Sequence, residues 1–170
     1  GVGTTAIAIL ANLGYDVVAS TGRLEQADTL KGLGAKEVID RATLSEPGRP
    51  LAKERWAGVV DSVGSHTLAN ACAATQSEGA VAACGLAQGM DFPATVAPFI
   101  LRGVKLMGVN SVTQPMAVRE KAWARVITDL PESSLSTITQ QVTLAEALDV
   151  APQFCRGRCR GVLLWTSMPD

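Results

Sequence analysis

Short β-branched runs alternate with helix-length segments along almost the whole chain, and that alternation restricts it to few folds. Thr4 to Leu13 is helix-length and apolar on most faces, and Gly14 suits its C-terminal cap. Tyr15 to Ser20 (YDVVAS) reads as a strand, Leu24 to Leu33 as an amphipathic helix ended by Gly34, and Glu37 to Asp40 (EVID) as a short strand. Arg41 to Pro50, with two prolines and a glycine, reads as a loop. The strand Ala57 to Val63 (AGVVDSV), the helix His66 to Ala74 and the buried strand Ala80 to Cys84 (AVAAC) follow, with Gly79 punctuating the turn. An irregular stretch with a short helix near Val96 to Leu101 leads into the strand Val104 to Val109 (VKLMGV). A helix over Met116 to Leu130, a strand over Thr137 to Val142, a helix over Leu144 to Cys155 and a strand over Gly161 to Thr166 complete the pattern. Strands and helices at this spacing predict right-handed βαβ units and a parallel sheet.

Composition supports that class and excludes others. At 170 residues the chain reads as one domain, or one domain plus a fragment of another, with a real core, and 47% apolar with only 4% aromatic residues points to an aliphatic core. A net charge of −1 gives no electrostatic case for nucleic acid or an anionic membrane. No apolar run is long enough to span a bilayer, and the start lacks the marks of a signal peptide. Cys72, Cys84, Cys155 and Cys159 show no disulfide framework and too few partners for zinc, so they read as free thiols in a reducing cytoplasm, with no metal.

The chain opens Gly1-Val2-Gly3 directly before a helix. In a doubly wound nucleotide-binding fold such a turn brings backbone N–H groups and the helix amino terminus onto a pyrophosphate. An ordinary tight turn explains two glycines equally well. The next strand adds weight: in that fold it ends at the adenosine ribose, about 20 residues beyond the first glycine. Here it ends at Ser20, followed by Thr21, Gly22 and Arg23, with no acidic residue to accept from a ribose 2′-hydroxyl. Two hydroxyls, a backbone N–H and a guanidinium are donors for a 2′-phosphate, so the pattern reads NADP(H) over NAD(H). The alternative is that Arg23 is a solvated residue at the start of the next helix.

Other candidates carry less. His66, at a helix start, reads as a surface or capping residue, and Asp61 as either facing a cleft or bonding a loop. Ser65 beside His66 lacks the G-x-S-x-G elbow of a hydrolase. Trp56, Trp123 and Trp165 are spaced as core or interface residues, and GLAQGMDFP has no phosphate-loop lysine.

The stretches GVGTTA, VVASTGR, LKGLGAKEVID, WAGVVDSVG, VAACGLAQG, PFILRGVKLMGVNS and DLPES occur here in order. Through them the chain resembles the C-terminal half of medium-chain dehydrogenase/reductases. It looks closest to the zinc-independent quinone oxidoreductase branch and, within it, to NADPH-dependent acrylyl-CoA reductases. The resemblance implies an α/β, Rossmann-like doubly wound parallel sheet, with residues 1–135 binding NADPH and 136–170 returning to a catalytic domain. It implies Gly1, Val2 and Gly3 on the pyrophosphate; Ser20, Thr21, Gly22 and Arg23 at the 2′-phosphate; and Val63 and Gly64 near the ribose. Cys84, Gly85 and Leu86 would run beside the nicotinamide, and Asn110 and Ser111 would close that side. The reaction implied is hydride transfer to an activated alkene, an enoyl thioester such as acryloyl-CoA, or to a quinone. The alternative is a catalytically inactive nucleotide-binding or interaction module. The family's basic residue after a late glycine is replaced: Val162 follows Gly161, and Arg160 precedes it.

Against the family pattern, the expectation is a chain without the catalytic domain and without the first strand of the cofactor sheet. That strand sits between YDVVAS and AGVVDSV, so its loss would strand buried peptide groups at about 1–3 kcal/mol each. The expectation is that the gap closes, through direct pairing of the flanking strands, another segment, or a strand donated by a neighbouring chain. The strand Val104–Val109 is expected to pair with its mate in a homodimer, and Leu163, Leu164 and Trp165 to present apolar surface.

Overall fold

The computed structural model describes residues 1–155 and 162–166, with side chains through residue 152. Cys159, Arg160 and Gly161 therefore lie outside the described residues, as do the side chains of Cys155, Leu163, Leu164 and Trp165. The order is α1 (Val2–Asn12), β1 (Val17–Thr21), a 3-10 turn (Leu24–Gln26), α2 (Ala27–Gly32), β2 (Ala35–Asp40), α3 (Ala42–Ser45), β3 (Trp56–Asp61) and α4 (Ser65–Ala73). It continues with β4 (Thr75–Ala83), α5 (Ala97–Arg102), β5 (Lys105–Gly108), α6 (Met116–Asp129), α7 (Glu132–Ile138), β6 (Thr139–Thr143), α8 (Leu144–Cys155) and β7 (Val162–Thr166). Every strand pair is parallel.

Glycine ends the first two helices as the sequence predicts. Gly14 sits at φ +85°, its N–H donating to Ala11 O at 3.0 Å while the Tyr15 N–H donates to Leu10 O at 3.0 Å. That bond pair is a Schellman cap, and its left-handed residue favours glycine. Gly34, at φ +106°, donates to Lys31 O after α2. Both turns lead straight into strands.

Three local readings change. Ala42–Ser45 forms a short helical turn inside the expected loop. Glu132–Ile138 is helical although its serines and threonine favour other conformations; its last residue, Ile138, is buried against Ile7 and Val17. The strand expected from Ala80 begins at Thr75: Trp56 pairs with Thr75 and Gly58 with Ala80, so Gln76–Gly79 bulges out between them with Glu78 at φ +61°.

The described strands form three separate sheets, ordered β1-β2, β3-β4-β5 and β6-β7. Two apolar clusters follow the first two sheets. One joins Ile7, Val17, Ala19, Leu30, Leu33, Ala35 and Ile138; the other joins Leu68, Cys72, Val81 and Val104. The expected closure of the gap is not found among the described residues. Among the described residues β1 does not pair with β3, and no strand lies between them. In a parallel ladder the N–H and C=O of one residue face the same neighbour and those of the next residue face the other. Thr21 O accepts from Arg41 N–H, so Ala19 and Thr21 face β2 while Val18 and Ser20 face away. Asp61 O accepts from Cys84 N–H, so Val59 and Asp61 face β4 while Gly58 and Val60 face away. Val60 is 46% exposed. These are two edges with the polarity and sequence of interior strands.

The two halves are tied elsewhere. Asn70 Nδ2 on α4 donates to Leu44 O and Glu46 O at 2.8 Å each, and Gln88 Nε2 donates to Ser45 O at 3.1 Å. Helix α6 carries the expected apolar stripe, but Val118, Trp123 and Ile127 on it are exposed. Hydrogen exchange of the chain should show the Val18, Ser20, Gly58 and Val60 amides exchanging fast while Val59 and Val81 stay protected; equal protection of all six would mean the edges are covered.

Candidate functional site

The site candidates lie where strands end, and a buried carboxylate shapes one group of them. Asp61 closes β3 and is 4% exposed. Its Oδ2 accepts the N–H of Val63 at 3.2 Å and of Gly64 at 2.9 Å. This is the loop-bonding role of the two foreseen for Asp61. The turn it holds needs unusual backbone, with Gly64 at φ +75° and Ser65 at φ +49°. An ideal Cβ on Gly64 would meet Gly89 O at 2.5 Å and Leu86 Cα at 3.3 Å, so only glycine fits there.

The segment after β4 folds over that turn. Cys84 N–H donates to Asp61 O at 2.8 Å, and the Cys84 thiol donates to the same oxygen at 3.2 Å. A Cβ on Gly85 would meet Ser62 O at 2.5 Å and Ser62 Cα at 2.9 Å. Gln88 N–H donates to Val63 O at 2.8 Å. The Gln88 side chain accepts from Thr67 Oγ1 at 2.8 Å in α4 and donates to Ser45 O at 3.1 Å, and Ser65 Oγ donates to Asp91 at 2.9 Å. Val63, Gly64, Cys84, Gly85 and Leu86 are thereby brought into one group, with Leu86 60% exposed at its surface. Val109 N–H donates to Ala83 O at 2.8 Å and carries the chain to Asn110 and Ser111. Their own bonds run to Thr113, Val112 and Arg119, not to the other candidates.

The second group surrounds the start of α1 and the end of β1. Cβ atoms on Gly1 or Gly3 would meet nothing within 4 Å, so the turn borders open space. Thr5 N–H donates to Gly1 O at 3.1 Å, which fixes the first turn of α1 beside Val2. Arg23 lies near the start of α1. Arg23 N–H donates to Thr21 Oγ1 at 3.1 Å. Ser20 is exposed and Thr21 half-buried. The sequence reading missed Arg41, placed in a loop: its Nη2 lies 2.9 Å from where a Cβ on Gly22 would sit. The one available signal was a basic residue directly after the strand EVID.

A phosphorylated dinucleotide fits this donor set. Glycines open onto space at a helix start, no carboxylate is among the residues that end β1, and the Arg41 guanidinium lies beside Gly22. His66 is half-buried at the start of α4, which has no side-chain cap. Among the described residues no three His, Cys, Asp or Glu side chains cluster as metal ligands, and no helix is long and apolar enough to cross a membrane. Neither Cys72 nor Cys84 is activated: burial, then the Asp61 charge, raise Cys84, and the same two causes push the fully buried Cys72 up to about 11.

Residues 1–128 match the family described as zinc-binding dehydrogenase. The chain is 46% identical over 162 residues to the acrylyl-CoA reductase AcuI of Ruegeria pomeroyi, covering 95% of this chain and 49% of that protein. The crystal structure of the yhdH oxidoreductase from Salmonella enterica in complex with NADP matches with a TM-score of 0.93 at 46% identity, over 98% of this chain and 51% of that one. The Bacillus subtilis protein yhfP with NAD bound matches with a TM-score of 0.93 at 44% identity, over 98% of this chain and 51% of that one. The chain thus spans about half the length of the relatives it matches.

Gly85→Ala should cost about 1–3 kcal/mol, because its methyl group meets backbone atoms of Ser62 that cannot swing aside, and thermal unfolding measures it. Cys72 keeps its proton in the folded chain up to about 11, above the unfolded thiol. Its contribution is complete below the ordinary thiol range and is lost as pH rises through about 11. Urea midpoints should therefore fall over that window, and less in Cys72→Ala.

Proposed function

This chain belongs to the zinc-binding dehydrogenase family, and we propose that it forms the dinucleotide-binding part of an NADPH-dependent reductase of activated alkenes. The cofactor choice rests on one observation: β1 ends in Ser20, Thr21, Gly22 and Arg23, without a carboxylate and beside the amino terminus of α1. The likeness to AcuI of Ruegeria pomeroyi supports an enoyl thioester such as acryloyl-CoA as substrate. A quinone is the neighbouring possibility within the same chemistry.

When bound, NADPH supplies the hydride. The chain's own work is binding and orientation. The N–H groups of Gly1, Val2 and Gly3 take the pyrophosphate, and the end of β1 takes the 2′-phosphate. Val63 and Gly64 border the ribose. Cys84, Gly85 and Leu86 line the nicotinamide, with Asn110 and Ser111 beyond them. The Asp61 turn keeps Val63 and Gly64 in place from below. No described residue is assigned as proton donor.

Residues 1–135 make up the cofactor domain in this reading, and 136–170 pack against a catalytic domain. The exposed Leu144 and Leu148 of α8 support the second part. β5 is the edge of its sheet, and its exposed Leu106 and Met107 suit pairing with a second copy. The zinc-independent part rests on the donor set, with Cys72 buried and its thiol held protonated. A reducing cytoplasm suits these free thiols.

Calorimetric titration tests the reading. The chain should bind NADPH at least tenfold more tightly than NADH, the worth of a charge-assisted contact to the extra phosphate. Equal affinity would overturn the cofactor assignment. Selective binding with no acryloyl-CoA reduction would favour an inactive binding module.

A further inference from the structure

We propose that Gln88 is a positioning residue that sets the span between the two ends of the candidate dinucleotide site, the end of β1 and the turn after β3. This deepens the NADPH reading and rests on it. The two ends sit on separate sheets, so the fit of a dinucleotide depends on how the sheets are held relative to each other. The backbone of Gln88 belongs to one end. Its N–H donates to Val63 O at 2.8 Å, inside the turn that Asp61 shapes. The flanking glycines are fixed: a Cβ on Gly85 would meet Ser62 O, and Gly89 forms a parallel bridge with Gly64. The side chain of Gln88 reaches the other end. Its Nε2 donates to Ser45 O at 3.1 Å, on the short helix α3 that follows β2. Thr67 Oγ1, buried in α4, donates to Gln88 Oε1 at 2.8 Å and fixes the orientation of the amide.

The bonds continue from Ser45 to the end of β1. Ser45 Oγ and Leu44 N–H donate to Arg41 O at 2.9 Å each, and Arg41 N–H donates to Thr21 O at 2.9 Å. Thr21 is thereby linked through α3 and one amide to Val63, although β1 and β3 share no ladder. Two other ties cross the gap farther from the candidate residues. Asn70 Nδ2 reaches Leu44 O and Glu46 O from the later half of α4. Arg55, directly before β3, pairs with Glu37 in β2 at 2.8 Å; both side chains are about half exposed, and such a pair contributes little. Gln88 acts at the carboxyl ends of the strands, where the candidate residues lie. An amide suits this place because it accepts from Thr67 and donates to Ser45 at once; a carboxylate accepts from Thr67 but has no proton for Ser45 O.

The test titrates the full chain and its variants with NADPH, NADH and 2′-phospho-AMP, the last of which is long enough for the β1 end only. Gln88→Met removes both amide bonds, and Gln88→Glu keeps the acceptor for Thr67 but loses the donor to Ser45. Both should weaken NADPH by about fivefold, the worth of one hydrogen bond, and leave 2′-phospho-AMP unchanged. Unfolding without ligand should stay close to the parent, since Gln88 is exposed. Hydrogen exchange separates positioning from a direct contact with the cofactor. In the parent, 2′-phospho-AMP at the β1 end should slow exchange of the Gln88 amide, and in Gln88→Glu it should not. A Gln88 amide indifferent to 2′-phospho-AMP in the parent would overturn the proposal. So would Gln88→Glu binding NADPH as the parent does, or equal weakening of NADPH and 2′-phospho-AMP, which would mark local damage. Any of these, with the parent still preferring NADPH to NADH, leaves the NADPH reading intact; a parent without that preference overturns both.

Discussion

A strand in a parallel sheet must satisfy peptide groups on alternate sides, and most of this structure follows from how that demand is met. Ala19 and Thr21 of β1 turn to β2, and Val59 and Asp61 of β3 turn to β4. Their neighbours Val18, Ser20, Gly58 and Val60 turn to the opposite edges, where the described residues offer no strand. The apolar residues therefore condense into two clusters, each behind its own sheet. The links between halves run through side chains such as Asn70 and Gln88, instead of a continuous ladder.

Within each half, the strand ends are built by opposite means. At β3 a buried carboxylate takes two backbone N–H groups, and glycines let two loops touch backbone to backbone. A buried charge is tolerable there because it is hydrogen-bonded. At β1 the end is open, half-exposed and cationic. The β3 end is thereby closed and rigid, and the β1 end open to solvent. The same chain supplies both because each strand ends with its own short-range chemistry.

What could be read from the sequence was what short-range rules decide. Gly14 and Gly34 mark helix ends because left-handed backbone is a local cost, and both sit where the capping rule puts them. The alternation of strands and helices follows from the same local periodicity, whereas the candidate positions at strand ends come from the resemblance to the family. Contacts across the fold were not legible. Helix α7 exists because Ile138 finds Ile7 and Val17, against the preference of its serines. The early start of β4 depends on Trp56 reaching Thr75 past a bulge. Arg41 meets Gly22 only once β1 and β2 pair, and no spacing rule joins positions that far apart. The stripe on α6 was visible, but what covers it is not a property of the helix.

The division of the candidate site between two sheets has a thermodynamic side. Residues 20–23 and 41 belong to one apolar cluster's half, and residues 61–64 and 84–86 to the other's. A single molecule long enough to engage both would count as an internal strut. Its binding free energy would be shared with the association of the halves, because each half, once gripped, restricts where the other can go. Affinity and cooperativity of unfolding then become one quantity: whatever loosens the seam between the sheets weakens the ligand, and the ligand, in equal measure, closes the seam.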